Sequence, residues 1–212
     1  MDDTEPKKTE SLYRWADQIP SPLWDDLEAR SPQEAADCVG VSLRNGRFEV
    51  PLLGTLYQID PTQRRILRVD QSDLRVSYQT GVVLLTTLVR SMGVPPSGRM
   101  VIPEELQGGR LFFTGAHRVP IRALIKRYSG QPQDLIERAI QLGGEPIDDG
   151  DHSVRISSLP RLPLYILYWD VDRSLETRII IGIDDRALFH LDLAGVFGLL
   201  NVLVGRMVEE LP

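Results

Sequence analysis

Between Gly108 and Pro120 the chain reads GGRLFFTGAHRVP, and no other stretch sets so many local demands in so few residues. The paired glycines Gly108-Gly109 permit backbone angles that side chains forbid. Leu111, Phe112 and Phe113 call for burial, Gly115 breaks the run, and His117-Arg118 precede Pro120, a residue suited to a helix's first turn. The pattern predicts a turn, a buried strand, then a break into a helix. That helix would carry Ile121, Leu124, Ile125 and Tyr128 on one face, and a second, begun by Pro132, would run to Gly143-Gly144.

The flanking sequence predicts α+β architecture. Residues 1–10 read as a solvated, disordered tail and 11–40 as a helical N-terminal arm pinned by Trp15 and Trp24; 41–212 read as a single α+β domain. In the arm, Ser31-Pro32-Gln33-Glu34 has the form of a capping box, and Gly40 stops the helix. Asn45-Gly46 marks a turn, and strands are expected over 47–50, 54–59 and 66–69, the last two as a hairpin, with Pro51 at a bulge or edge. A helix over 78–92 is apolar on nearly every side. Two long strand-like runs follow, one from Ser153 through Pro160 and Pro163 to Trp169, the other from Thr177 to Ile183, expected to pair antiparallel across a polar connector at 170–174. Together they predict one largely antiparallel sheet with packed helices.

The chain closes on a long C-terminal helix. Asp192 is its expected N-cap, and Leu193, Val196, Phe197, Leu200, Leu203, Val204, Met207, Val208 and Leu211 follow a 3.6-residue period. Ala194, Gly198, Asn201 and Gly205 form the other side. Glycine inside a helix costs about 1 kcal/mol against alanine, so two on one face imply close approach of another element. That element is a neighbouring helix of the same chain or, in a homodimer or complex, a protein partner on the Gly198/Gly205 face.

Composition excludes several classes. A net charge of −6 argues against nucleic acid and anionic membranes as partners. No apolar run is long enough to span a bilayer, and no signal-peptide core follows the polar N-terminus, so the expected location is cytoplasmic. Cys38 is the sole cysteine, which rules out an internal disulfide, a CxxC zinc site or a cysteine-ligated cluster held by this chain alone. The helix pair after Pro120 has the outline of a helix-turn-helix, against which the acidic balance weighs.

An ordered series of short motifs points further. Gly108-Gly109, Leu111-Phe112-Phe113, Gly115 and His117 to Pro120 are followed by Leu142-Gly143-Gly144, Gly150-Asp151, Leu159-Pro160-Arg161, Trp169 with Asp172, and Ile183-Asp184. With Leu53-Gly54 and the helix after Tyr78, this series resembles domain of unknown function 3786, a family of bacteria and archaea. The resemblance implies a setting among anaerobes, beside iron–sulfur modules of corrinoid or one-carbon metabolism. Having only Cys38, this chain would need a partner to supply any cluster. The resemblance carries no catalytic residues.

Three constellations could carry chemistry. Arg118, Arg122, Lys126 and Arg127 stand in a segment, 99–127, with six Lys/Arg against two Glu. Gly115, His117, Arg118 and Arg122 could hold a small anionic ligand, phosphate or carboxylate, at the helix start, where free N–H groups and the dipole favour anions. The plainer account is a solvated helix face. Glu145, Asp148, Asp149 and Asp151 form an acidic loop that could hold Ca²⁺ or Mg²⁺, though Asp and Gly are also ordinary turn residues. His117, His152 and His190 lack zinc spacing. An enzyme would use His117 or His152 with Asp151 as acid and base. No motif calls for a cofactor, and P-loop, dinucleotide and nucleophile-elbow signatures are absent from the sequence. The leading expectation is a ligand-binding or accessory protein; an enzyme, and a subunit docking through the final helix, are the alternatives.

Overall fold

A computed structural model describes residues 14–149, 151–169 and 177–209. The expected tail, the connector at 170–174, Gly150, Asp172 and Leu211 lie outside them. Among the described residues, seven α-helices and two antiparallel sheets make an α+β fold. Helices α1 (Ser21–Ala29) and α2 (Pro32–Val39) form the arm, with Trp24, Leu27, Ala35, Ala36 and Val39 buried against α3 (Tyr78–Arg90). Trp15 is only half-buried and makes a single β-bridge to Ser77. Ser31 is the N-cap of α2 but its side chain accepts no cap bond, so the expected capping box does not form; Glu34 instead lies 3.8 Å from Arg30. Arg30 itself reaches the last carbonyls of α3, Leu88 O (2.8 Å), Val89 O (3.0 Å) and Ser91 O (2.7 Å), satisfying acceptors that a helix end leaves open.

The first sheet is a meander, β1 (Ser42–Arg44), β2 (Arg47–Leu52), β3 (Thr55–Asp60) and β4 (Arg65–Arg68). Its first two turns, Asn45-Gly46 and Leu53-Gly54, hold all four residues at positive φ (51°, 75°, 49°, 73°), as the two-residue hairpin turn of type I′ requires. Pro51 stays inside β2, beyond the last residue that β1 pairs with, so its missing N–H costs no ladder bond on that side.

The second sheet runs β5 (Met100–Val101), β9 (Arg178–Asp184), β8 (Leu162–Trp169), β7 (His152–Leu159), β6 (Gly144–Ile147) in spatial order. There are thus two sheets where one was expected, and the apolar run 153–169 is not one strand but the β7–β8 hairpin, folded at Pro160-Arg161. The turn is hard to read from sequence because β8 is buried on both faces and lacks the alternation that marks strand ends. Leu53 N donates to Ser158 O (2.9 Å), joining the two sheets.

The Gly108–Pro120 stretch departs from its expected buried strand. Gly108 (φ 80°) leads into a short helix, α4 (Gly109–Phe112), and a 3-10 turn at Gly115–His117. A Cβ on Gly109 would sit 2.2 Å from Pro103 O, so backbone contact, not strand pairing, is what the second glycine serves. Helical winding sends Phe113 inward (3% exposed) and Leu111 outward (85%), residues that a strand would put on one face.

Helix α5 (Ile121–Tyr128) and α6 (Pro132–Gln141) follow as expected, and α7 (Leu193–Val208) crosses α3 and α5. Asp192 Oδ1 accepts from Gly195 N at 2.8 Å, the expected cap. Gly198 is buried, and a Cβ there would lie 3.1 Å from Val83 Cγ2 of α3. The close neighbour implied by that glycine is therefore α3 of the same chain, and the Gly198 half of the expected dimer face is already covered. Among the described residues, no helix is long and apolar enough to cross a membrane.

Candidate functional site

The sequence-selected residues do not assemble into one site. His117 stacks on Phe112 (centroids 4.5 Å apart, planes 9° apart) and meets Phe197 edge-on at 5.3 Å, tying α4 to α7. His152 lies edge-on to Tyr168 on the second sheet, 6.0 Å away. The two histidines thus serve different aromatic contacts. Glu145 belongs to β6 and pairs with Arg155 across the strands (2.8 Å), which shortens the acidic loop to Asp148, Asp149 and Asp151. Among the described residues, no group of three or more His, Cys, Asp or Glu could hold a metal ion.

Arg118 and Arg122 do share a shallow groove of about 500 Å³ with Glu104, but Gly115 and His117 are not in its lining. The helix start is also less open to an anion than its sequence implies. Ile121 N already donates to Val119 O (2.8 Å) and Ala123 N to Pro120 O (3.0 Å), while Pro120 has no N–H.

A better-built cationic site lies where the Leu53-Gly54 turn, β4, α6 and the end of α7 meet. It is a trough of two adjoining basins, about 400 and 290 Å³, that share Arg68, Arg206 and Glu209. Its centre is Arg206, the only charged residue in α7. Arg206 Nη1 donates to Leu52 O (2.8 Å), Leu53 O (3.0 Å) and Thr55 Oγ1 (3.3 Å), and Nη2 donates to the Tyr57 hydroxyl. Arg138 of α6 donates from Nε (2.8 Å) and Nη2 (2.5 Å) to Arg206 O, and from Nη1 to Gln141 Oε1 (3.1 Å). A guanidinium carries more N–H donors than these bonds use, so both arginines keep donors uncommitted.

Charge accounting sets this trough apart. Arg68 is held by Asp70 through two bonds (3.2 and 2.8 Å), and that guanidinium holds the Asp70 carboxyl below its ordinary pKa. Arg75, at the far wall, pairs with Asp17 at 2.5 Å. Arg138 and Arg206 have no carboxylate partner among the described residues. Burial pushes the Tyr57 phenol pKa up, opposed by Arg206 and Arg68, so Tyr57 stays a neutral hydroxyl. By contrast, a smaller cleft of about 210 Å³ beside Trp15 is lined by Arg64, paired with Asp25 and Glu28, by Arg75, paired with Asp17, and by Arg65 together with Asp73, so it holds no excess of positive charge.

Gly54 makes the trough possible. Its φ is 73°, and a Cβ would lie 3.0 Å from Gln141 O and 3.2 Å from Leu142 C, so the turn fits against the end of α6 only without a side chain. Sequence reading identified Leu53-Gly54 but not Arg68, Arg138 or Arg206, which come from three separate elements. The one sequence signal was a lone arginine on an apolar helix.

A family model described as a domain of unknown function, DUF3786, matches residues 31–206, nearly the whole described fold. Searches of curated proteins and of solved structures found no match.

Proposed function

Because this chain belongs to the DUF3786 family, whose description names no activity, we propose its function from its own side chains: it binds a small anion, phosphate or carboxylate, in the arginine trough, as a binding or accessory protein. The observation that carries this is the pair Arg138 and Arg206, each fixed by backbone carbonyls, lining one basin and lacking a carboxylate partner among the described residues. Two like charges fixed in one cleft repel, and a bound anion removes that cost. Their anchoring means little side-chain order has to be gained on binding. Each charge-assisted bond contributes about 1.5–3 kcal/mol, so two contribute about 3–6 kcal/mol, and the dissociation constant should be roughly millimolar and no tighter than tens of micromolar.

Arg118 and Arg122 are the competing location. A carboxylate lines each place, Glu104 there and Glu209 in the trough, so what favours the trough is the anchoring of Arg138 and Arg206 on backbone carbonyls, while the N–H groups beside Arg118 and Arg122 are partly engaged. Service to anaerobic redox or one-carbon enzymes comes from the family resemblance, and any cluster would belong to a partner. The enzyme alternative lacks support, since His117 and His152 contact different rings.

The test is calorimetric titration with inorganic phosphate at low ionic strength. Saturable binding is expected, weakened about tenfold or more in Arg138→Gln and little changed in a double Arg118→Ala, Arg122→Ala variant. Absence of phosphate binding, or loss of it only in the double variant, would refute the assignment to the trough.

A further inference from the structure

The two basins differ in chemistry, and the difference specifies the ligand. The first, between Gly54, Arg138, Gln141 and Arg206, holds an excess of positive charge, Arg138 and Arg206 against Glu209, with Arg68 paired to Asp70. The second is lined by Tyr57, Ser77, Gln79, Thr80 and Asn201, all uncharged hydrogen-bonding groups. Its one arginine beyond those shared with the first basin, Arg75, is neutralised by Asp17, and Glu209 stands at the junction. With Arg206 set against Glu209, this basin therefore offers no excess positive charge to a second anion.

Its polar groups are also oriented. Tyr57 accepts from Arg206 Nη2, which leaves its own O–H to donate. Asn201 Nδ2 donates to Phe197 O at 2.8 Å, which leaves Oδ1 to accept. Ser77 and Thr80 bond each other (2.9 Å) and firm the wall behind them. Gly205 has open space where a Cβ would stand, so the floor over the last turns of α7 is unobstructed. A donor, an acceptor and the exposed Gln79 amide beside an open floor suit groups that both donate and accept, which is the property of alcohol hydroxyls.

Resting on the anion reading above, we infer that the ligand is the monophosphate ester of a sugar or polyol, its phosphate on Arg138 and Arg206 and its hydroxyls on Tyr57, Gln79 and Asn201. A free anion would leave the second basin to water. A bisphosphate would set its second charge in the basin whose charges already balance.

Calorimetry with four probes separates the outcomes: inorganic phosphate, glucose 6-phosphate, fructose 1,6-bisphosphate and glucose. The expected order is glucose 6-phosphate about tenfold or more tighter than phosphate, the bisphosphate no tighter than the monophosphate, and glucose weakest. Asn201→Ala and Gln79→Ala should each shift glucose 6-phosphate toward the affinity of phosphate. Where the amide variants fold poorly, Tyr57→Phe is the check, read as the ratio of glucose 6-phosphate to phosphate affinity, because the same hydroxyl also anchors Arg206; an unchanged ratio would count against the ester. If phosphate binds and glucose 6-phosphate binds no tighter, the ester inference is overturned and the anion reading stands. A bisphosphate that binds tightest would overturn the role given to Glu209 and the second basin. If no phosphate-bearing probe binds, both readings fall.

Discussion

Gly54 and Gly46 occupy the same position in two turns of the same type, at φ of 73° and 75°, and differ only in surroundings. Nothing lies within 4 Å of a Cβ built on Gly46, whereas on Gly54 it meets Gln141 O at 3.0 Å and Leu142 backbone at 3.2 Å. Replacing each with alanine therefore separates backbone strain from crowding. The strain of a left-handed L-residue is about 1–2 kcal/mol, offset by about 0.4–1 kcal/mol from a less flexible unfolded chain. Gly46→Ala should thus cost about 0.5–1.5 kcal/mol. Gly54→Ala carries the same cost plus about 1–3 kcal/mol for pushing rigid backbone apart, because the clashing atoms belong to the end of α6 and cannot rotate away. At roughly 2–4 °C per kcal/mol for a chain of this size, the two melting points should be separated by about 2–12 °C. Urea unfolding with matched m-values gives the free energies, and phosphate titration adds a second readout. Displacing the end of α6 shifts Arg138, so Gly54→Ala should also weaken phosphate binding while Gly46→Ala does not. Equal destabilisation by the two alanines, to within about 0.5 kcal/mol, would show that the contact at Gln141 is not a constraint.

Other perturbations test other joints. Arg206→Met leaves Leu52 O and Leu53 O without their donor at the rim of the trough, and should cost about 2–4 kcal/mol in urea titration; a loss under about 0.5 kcal/mol would mean that water replaces the guanidinium freely. Phe113→Ala should cost about 3–5 kcal/mol and Leu111→Ser almost nothing, the reverse of equal burial on one strand face. Burial lowers the pKa of His190, whose Nδ1 meets Ser91 Oγ at 2.8 Å and whose Nε2 is buried without a hydrogen-bond partner among the described residues. The unfolded chain thus takes up a proton before the fold does. Stability should be full above the unfolded pKa of about 6.5, then fall by up to about 1.4 kcal/mol per pH unit until the folded pKa is passed. Urea midpoints between pH 7.5 and 5.5 should show this slope, and His190→Gln should flatten it.

What the sequence disclosed follows from how local each signal is. Asn45-Gly46, the Asp192 cap and the apolar period of α7 are each written within a few neighbouring residues, and each is present in the fold. The β7–β8 turn was missed because Pro160-Arg161 interrupts a run whose apolar residues are buried on both faces, so no change of period marks it. Phe112 and Phe113 read as strand because the demand that overrides it, contact between the Gly109 backbone and Pro103, belongs to the tertiary fold. The site failed to show for a related reason. His117 and Arg118 are adjacent in sequence and draw attention as a pair, whereas Arg68, Arg138 and Arg206 gain meaning only when β4, α6 and α7 converge.

The bond from Arg206 to Leu53 O closes a loop of 153 residues. The two walls of the trough come from distant parts of the chain, because the turn belongs to the first meander and the guanidinium to the last helix. A pairing so distant along the chain forms late, after the loop-closure entropy between its ends has been overcome by other contacts. During refolding, recovery of anion binding should therefore lag the return of helical signal, coinciding with the docking of α7 and with the slowest-exchanging amides of β2 and β3. The trough would then act as a reporter of complete folding, a chain with a misplaced last helix having secondary structure but no cationic cleft.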